Sequence, residues 1–223
     1  MAHAHALHRG DLPRAETGLP SRADLARSLA LRHGLAANLS LAETAQRVAQ
    51  ARSRWSFTAF LRDSLDATAL VPQPFQQWVV ELVRQFQIET IITTACDNLL
   101  DRAFQQAGLG LNRLVRGSDV SFSVSERPTL IKLYGNLQQP DSLIVIEQDH
   151  SALLRDRTRE PILDEVRRAM RRTTVLFLGY NLADPDFRFL FDQSPGAVLR
   201  AWPTQFGPAC PPPPRRCGAT AGS

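Results

Sequence analysis

Apolar residues in the first part of the chain recur at helical spacing. One such series begins after Ser21, which is placed to cap a helix, and stops at Gly34, a typical helix end. A second begins at Ser40 with the spacing of a capping box. Two more apolar series with helical period lie at residues 57–65 and 79–86. We therefore predict a helical segment over residues 21–86.

Beyond residue 86 the pattern changes to short runs of apolar and β-branched residues that alternate with amphipathic stretches. Strands are predicted at residues 88–94, 129–134, 143–146 and 174–178. Helices are predicted from Asp97 to Gly108, near 148–155, at 161–171 and at 185–192. Buried runs that alternate with helices favour a parallel sheet covered on both faces. The expected fold class is α/β, a Rossmann-like doubly wound parallel sheet with an inserted or flanking helical segment.

The two ends of the chain carry a weaker pattern. No apolar run lies before residue 15, whereas the first strand of a doubly wound sheet is central. We therefore expect residues 1–14 to be a degenerate segment without that strand, which would leave a strand edge unpaired inside the sheet. Residues 194–223 are rich in proline and are expected to be disordered. A linker cut from a longer protein and out-of-frame sequence after Gln193 explain that tail equally well.

Composition narrows the class of protein. The 223 residues, 43% of them apolar, can bury the core of one domain. No run is long enough to span a membrane and no signal-peptide core is visible, so a soluble, cytoplasmic protein is expected. The net charge of +4 arises mainly in the last 30 residues, so we expect no nucleic-acid partner. Three scattered cysteines predict neither a disulfide framework nor a four-cysteine zinc site, and we expect no metal.

Three motifs follow predicted strands: IITTACD at residues 91–97, LIKLYG at 130–135 and GYNLADPDF at 179–187. In this order and spacing they resemble the motifs TTN-x-D, K-L-H-G and G-Y-S-L-S-D-P-D-F of the sirtuin-like family. The missing zinc module indicates the zinc-free, NAD-hydrolysing branch common in bacterial antiphage defence. The resemblance covers residues 15–193 and implies a sirtuin-like NAD-binding domain there, with a helical part at about 21–86 and a sheet-rich part at about 88–193.

The resemblance also implies which residues meet NAD or ADP-ribose. These residues are Thr93, Thr94, Asp97, Gly135, Gly179, Asn181 and Asp184. Asp97 is the acidic position that would meet ribose hydroxyls, and plain capping of the following helix explains it equally well. Gly179 would let the chain pass close to the nucleotide, and Asn181 can hydrogen-bond ribose or phosphate.

Both catalytic positions of the family are replaced. Ala95 stands where the family has an asparagine that positions the ribose and the attacking water, and such a loss typically costs roughly 10²–10³ in rate. Tyr134 stands where the family has a histidine base. The tyrosine reference pKa near 10 lies about 3 units above neutrality, so formation of the phenolate that could act as a base costs roughly 4 kcal/mol at pH 7. Tyr134 is alternatively a half-buried aromatic at a strand end.

No other nucleophile or base is apparent near these positions in the sequence. His33 and His150 are the only histidines outside the N-terminus, and neither is close in sequence to Tyr134. Cys96 is expected to be a small apolar residue rather than a reactive thiol. We therefore expect a pseudoenzyme, with nicotinamide release close to background.

The opening loop of the family has also changed. Residues 10–21 resemble it from Ala15 onward, but Leu12, Pro13 and Arg14 replace small residues. The backbone N–H groups of such a loop must approach the pyrophosphate closely, which bulky side chains and proline prevent. We expect no close phosphate cradle. Arg14 could pair with phosphate, and a solvated segment without a ligand role is the alternative.

Two other functions fit the same sequence. One is a non-catalytic interaction subunit of a defence complex, whose helical segment binds a protein partner or a fused effector domain. The other is a decayed gene fragment, which the changed loop, the missing first strand and the proline-rich end favour. Neither alternative involves a membrane.

Overall fold

The computed structural model of the chain describes residues 3–7, 19–65, 70–153, 155–172, 174–178 and 199–201. The helices are α1 (Arg22–His33), α2 (Leu41–Ala51), α3 (Arg54–Ser64), α4 (Pro74–Phe86), α5 (Leu99–Gln106), α6 (Glu147–Leu153) and α7 (Glu160–Arg172). The strands are β1 (His3–Leu7), β2 (Thr90–Thr93), β3 (Asn112–Leu114), β4 (Thr129–Lys132), β5 (Thr174–Leu178) and β6 (Leu199–Ala201). Short 3-10 helices lie at Gly117–Phe122, Pro140–Ser142 and Arg157–Arg159.

All six strands form one parallel sheet in the order β3-β4-β2-β1-β5-β6. Ile91 and Leu130 pack with α4 and α5 on one face. Ile92 and Ile131 pack with α7 on the other. Because both faces are covered, β2 and β4 read as continuous apolar runs. The predicted Rossmann-like doubly wound sheet is confirmed, and the helical segment is inserted between β1 and β2.

The predicted absence of a first strand is wrong. β1 pairs in parallel with β2 on one side and with β5 on the other, so it lies in the middle of the sheet. Histidine alternates with alanine over the strand, and a search for apolar runs passes over such a pattern. The backbone edges of β2 and β5 supply the hydrogen-bonding partners that define it, and no edge between them stays unpaired. The remainder of segment 1–14 lies outside the described residues.

The stretch at residues 143–146 is buried as predicted, but it forms a loop rather than a strand. Its backbone donors are taken by other groups: Ile144 N–H donates to the Tyr134 carbonyl, and the next two donate to the Asp149 carboxylate. With these donors taken by turn contacts, the segment does not join the sheet. Burial alone predicted a strand here, and the local capping bonds decide against it.

Two short strands were not predicted. β3 is three residues long, too short for a periodic signal. β6 lies within residues 194–223, where disorder is expected, and for these three residues the structure gives an edge strand paired with β5. The helix predicted at residues 185–192 lies outside the described residues, as does the rest of the tail.

The predicted helical segment is confirmed, with its caps. The Ser21 and Ser40 hydroxyls accept the N–H groups of Asp24 and Glu43, both at 3.2 Å, and each carboxylate bonds back to its serine N–H. Gly34 ends α1 in the left-handed conformation, with φ of 65°. Helices α1–α3 share an apolar core that also contacts the loop after β4, so the insert forms one wall beside the sheet.

No helix in the described ranges combines the length and the apolar character needed to cross a membrane.

Candidate functional site

The carboxyl ends of four adjacent strands lie together at one edge of the sheet. The register places Leu7 beside Thr93 and Leu178, and Thr93 beside Lys132. The motifs at residues 91–97 and 130–135 therefore leave their strands at this edge, where open parallel sheets bind ligands, and β5, which precedes the motif at 179–187, also ends there. Residues 8–18 and 179–198 lie outside the described residues. The ligand roles of Gly179, Asn181 and Asp184 accordingly stay predictions.

The turn after β2 is fixed by its own side chains. The Thr93 hydroxyl accepts the N–H of Ala95 at 3.0 Å. Thr93 and Thr94 are both buried, whereas Ala95 and Cys96 are partly exposed. The Cys96 carbonyl accepts the N–H of Leu137 at 2.9 Å, which joins this turn to the segment after β4. The two motifs thus form one connected surface.

Asp97 caps the helix that follows. Its carboxylate accepts the N–H of Leu99 at 3.0 Å and is buried, at 6% exposure. Asn98, the residue directly before α5, makes no capping bond with its side chain. The capping role that we considered for Asp97 is therefore present in the structure. Its contact with a ribose stays a prediction.

Lys132 is the site residue that sequence reasoning passed over. Its ammonium lies 2.8 Å from the Asp101 carboxylate of α5 and also donates to the Asp97 carbonyl, while its side chain is only 1% exposed. It therefore ties the end of β4 to the turn after β2. The available signal was that Lys132 is the only lysine among 26 basic residues. A compact ammonium, rather than the broad guanidinium of arginine, is what this buried position holds.

Gly135 is required by packing. Its φ is +86°, and a Cβ there would lie 2.2 Å from the Ser142 carbonyl oxygen. Any other residue would push that loop away. The glycine of this motif is thus explained by the loop contact, and its approach to a nucleotide stays a prediction.

Two arginines fasten the loop after β4. Arg54 of α3 donates to the Asp149 carboxylate at 2.6 Å and to the Leu143 carbonyl at 2.8 Å. Arg159 donates to the Leu133 carbonyl at 3.3 Å and to the Ser142 carbonyl. Burial lowers the pKa of Arg159 below its usual value, and the nearby aspartates oppose this shift. These hydrogen bonds therefore fix the position of the loop after β4.

A small cleft lies between the helical insert and the strand ends, with a volume of about 60 Å³. The insert lines it with leucines, and the sheet edge contributes Thr94, Ala95, Cys96 and Tyr134. Ala95 and Tyr134, the two positions that the resemblance predicts to be catalytic in the family, therefore face the same cavity. A water needs about 10–15 Å³ by this measure, so the cleft suits a small ring rather than a whole dinucleotide.

The structure places a histidine beside Tyr134, contrary to what sequence distance indicated. The rings of Tyr134 and His150 meet edge to face, with centroids 5.1 Å apart and planes at 88°. Tyr134 is buried, at 4% exposure, rather than half-buried as the alternative interpretation had it. His150 lies on α6, which the loop after β4 brings back to the strand end. An imidazole is thus one side chain away from the cleft.

A larger groove of about 810 Å³ lies at the opposite, amino end of the sheet. Its lining includes Thr90 and Thr129, the first residues of β2 and β4, together with both acidic and basic side chains. Size favours this groove, but neither of the two motifs within the described residues, at 91–97 and 130–135, lines it. Parallel sheets bind ligands at the other end, so the small cleft is the candidate site. Within the described ranges no three His, Cys, Asp or Glu side chains gather to hold a metal ion.

Comparisons with known proteins show what the chain is similar to. Residues 89–197 match the family model of the SIR2-like domain. A crystal structure of a Sir2 homologue in complex with NAD is 16% identical, with a TM-score of 0.55 over 90% of this chain and 77% of that one. A comparison with curated proteins finds no match.

Two further solved structures are similar. A histidine-to-tyrosine mutant of Sir2 with a p53 peptide and NAD is 13% identical, with a TM-score of 0.51 over 90% of this chain and 80% of that one. A structure on the basis of sirtuin substrate affinity is also 13% identical, with a TM-score of 0.52 over 90% and 81%. At these identities the likeness shows a shared fold.

Proposed function

We propose that this sirtuin-like chain, whose residues 89–197 form a SIR2-like domain, binds NAD at the carboxyl ends of its central strands and cleaves the nicotinamide–ribose bond slowly. The observation that carries the proposal is the convergence of the turns after β2 and β4 on one cleft. Thr94, Ala95 and Tyr134 line that cleft together. A sirtuin-like NAD-binding domain is also what the fold supports.

Binding is the better supported half of the proposal. The cleft has the size of a small ring and leucine-rich walls, which suit the nicotinamide end of NAD. The phosphates would then follow the strand ends toward β1 and β5, near the predicted ligands Gly179 and Asn181. A similar Sir2 that carries a histidine-to-tyrosine change is in complex with NAD.

Cleavage is expected to be slow because Ala95 has no side-chain group to position a water. Its backbone N–H is already bonded to Thr93, so it offers no substitute for the missing amide. Loss of one positioned polar group costs roughly 10²–10³ in rate. From an ordinary turnover of about 10 s⁻¹, this leaves about 0.01–0.1 s⁻¹.

The finer parts of the proposal are the lineage and the partner. We infer an origin among NAD-hydrolysing antiphage proteins from the zinc-free motif set. A protein partner or fused effector domain would follow from that origin, and co-purification of a stoichiometric partner from the native host tests it. The decayed-fragment alternative loses one of its supports, because the first strand is present.

The test combines calorimetry with chromatography of an NAD incubation. Wild-type protein should bind NAD and release nicotinamide near 0.01–0.1 s⁻¹ by the estimate of about 10²–10³ lost from ordinary turnover. The double variant Ala95→Asn with Tyr134→His should be faster by tenfold or more. Ala107→Asn, the same change at the end of α5, is the matched control and should leave the rate unchanged. Absence of NAD binding would refute the proposal, and wild-type turnover near 10 s⁻¹ would refute the impairment.

A further inference from the structure

We infer that His150 is a positioning residue that takes up the proton of the slow cleavage through Tyr134. The inference rests on the proposed function, since it concerns how that same cleft handles water. It is carried by the contact between the two rings, with centroids 5.1 Å apart and planes at 88°. Tyr134 lines the cleft and His150 lies behind it.

The placement of His150 is fixed from several directions. Its helix begins at a loop whose Val145 and Ile146 N–H groups donate to the Asp149 carboxylate, at 3.1 and 3.2 Å. Arg54 holds that carboxylate from α3. Tyr134 is tied to the same loop, because its carbonyl accepts the N–H of Ile144 at 3.1 Å. Both rings are therefore held by the backbone around them, which gives the edge-to-face contact a defined geometry.

Hydrolysis of the nicotinamide–ribose bond requires a proton acceptor. A water oxygen bonds to the ribose carbon, and the carbon–nitrogen bond breaks with its electron pair retained by the ring nitrogen, so that nicotinamide leaves neutral. The water proton passes to the Tyr134 hydroxyl oxygen as that hydroxyl releases its own proton to His150. The products are ADP-ribose, nicotinamide and a protonated imidazole. Tyr134 ends as a neutral phenol and never has to act as a base of its own.

The charges around His150 come from several elements. On α6 its neighbour is Asp149, which is paired with Arg54 of α3. Arg159 interacts with the same aspartate. Helix α2 packs against α6 and carries Glu43 and Arg47.

The test compares four variants with wild type: His150→Gln, Tyr134→Phe, the two combined, and His33→Gln as the control histidine on α1. Single variants at 134 and 150 should each lower the residual rate by tenfold or more, and the combination should lose no more than either alone, as residues that act as a unit do. His33→Gln should leave the residual rate unchanged, because His33 lies on α1 and does not line the cleft.

A second readout does not depend on turnover. The imidazole proton signals of His150 in NMR should shift when ADP-ribose is added to wild type, and should respond to Tyr134→Phe. Calorimetry should give NAD affinities within twofold of wild type for every variant, and circular dichroism should show that each melts cooperatively. Should His150→Gln not fold, His150→Tyr replaces it with a ring of similar shape.

The outcomes separate this inference from the proposed function. An unchanged rate in His150→Gln, or losses that add in the combined variant, would overturn the role of His150. NAD binding without any wild-type cleavage would also overturn it while leaving the binding function intact. Failure to bind NAD at all would instead refute the proposed function.

Discussion

Removal of the Lys132 ammonium tests the connection between the two motifs. The change Lys132→Met keeps the apolar stem but leaves Asp101 without its closest partner, at 2.8 Å, and the Asp97 carbonyl without its donor. Lys132 is 1% exposed and the Asp101 side chain 17%. Because Lys132 is shielded from water and Asp101 is largely so, solvation of the remaining carboxylate recovers only part of the loss. We expect a large loss of stability.

Removal of one partner from a buried ion pair costs about 3–5 kcal/mol. Asp101 keeps some access to water, so the low end, about 3 kcal/mol, applies here. With a urea slope of about 2 kcal/mol/M, the unfolding midpoint should fall by about 1.5 M. A loss of about 3 kcal/mol is a large share of the roughly 5–15 kcal/mol that stabilises an ordinary domain.

Urea unfolding followed by circular dichroism measures this shift. The matched control is Arg113→Met. It removes a second cation that lies 3.6 Å from the same Asp101 carboxylate, and the side chain of Arg113 is 49% exposed. Its effect should stay within about 1 kcal/mol, as for exposed pairs. The combined variant Lys132→Met with Asp101→Leu should recover part of the loss, since no buried charge is left unpaired. Equal and small shifts for Lys132→Met and Arg113→Met would refute the reasoning.

Three further predictions concern local structure. Gly135→Ala should destabilise the fold by more than about 2 kcal/mol, because φ is positive there and the new Cβ would overlap the facing loop. Gly108→Ala, where a Cβ meets open space at φ of +68°, should cost only about 1–2 kcal/mol. Urea unfolding compares the two variants. Ser40→Ala should cost about 0.5–2 kcal/mol by loss of the α2 cap, and a thermal melt that does not move would contradict this. A hydrogen bond from Thr158 lowers the pKa of Asp156 in the folded protein. The ionised carboxylate therefore stabilises the fold above the pKa of the unfolded chain, near 3.9, and this stabilisation is lost as the pH falls through the lower folded pKa. Thr158→Val should raise the pKa of Asp156, which NMR titration can follow.

Local signals made much of this fold predictable. The cap at Ser21 and the capping box at Ser40 mark two helix starts, and both helices begin there as predicted. The apolar runs of β2, β4 and β5 required only burial on both faces of a sheet. The positions of the motifs at strand ends followed from those runs.

The features that escaped prediction depend on distant partners. β1 has no apolar run and is defined by the strands on either side of it. The Lys132 and Asp101 pair joins β4 to α5, and the contact of Tyr134 with His150 requires the loop after β4 to turn back. No periodicity reports such contacts. The side-chain contacts at the cleft therefore could not be predicted from the sequence, although Ala95 could be identified there.

The claim that the small cleft holds NAD is tested most directly by blocking it. Ala95→Trp fills the cleft, and Ser125→Trp places the same side chain in the larger groove at the other end of the sheet. In calorimetric titrations with NAD, we predict that Ala95→Trp lowers the affinity by a factor of ten or more and that Ser125→Trp leaves it within twofold of wild type. The reverse pattern, with binding lost in Ser125→Trp and kept in Ala95→Trp, would contradict the account.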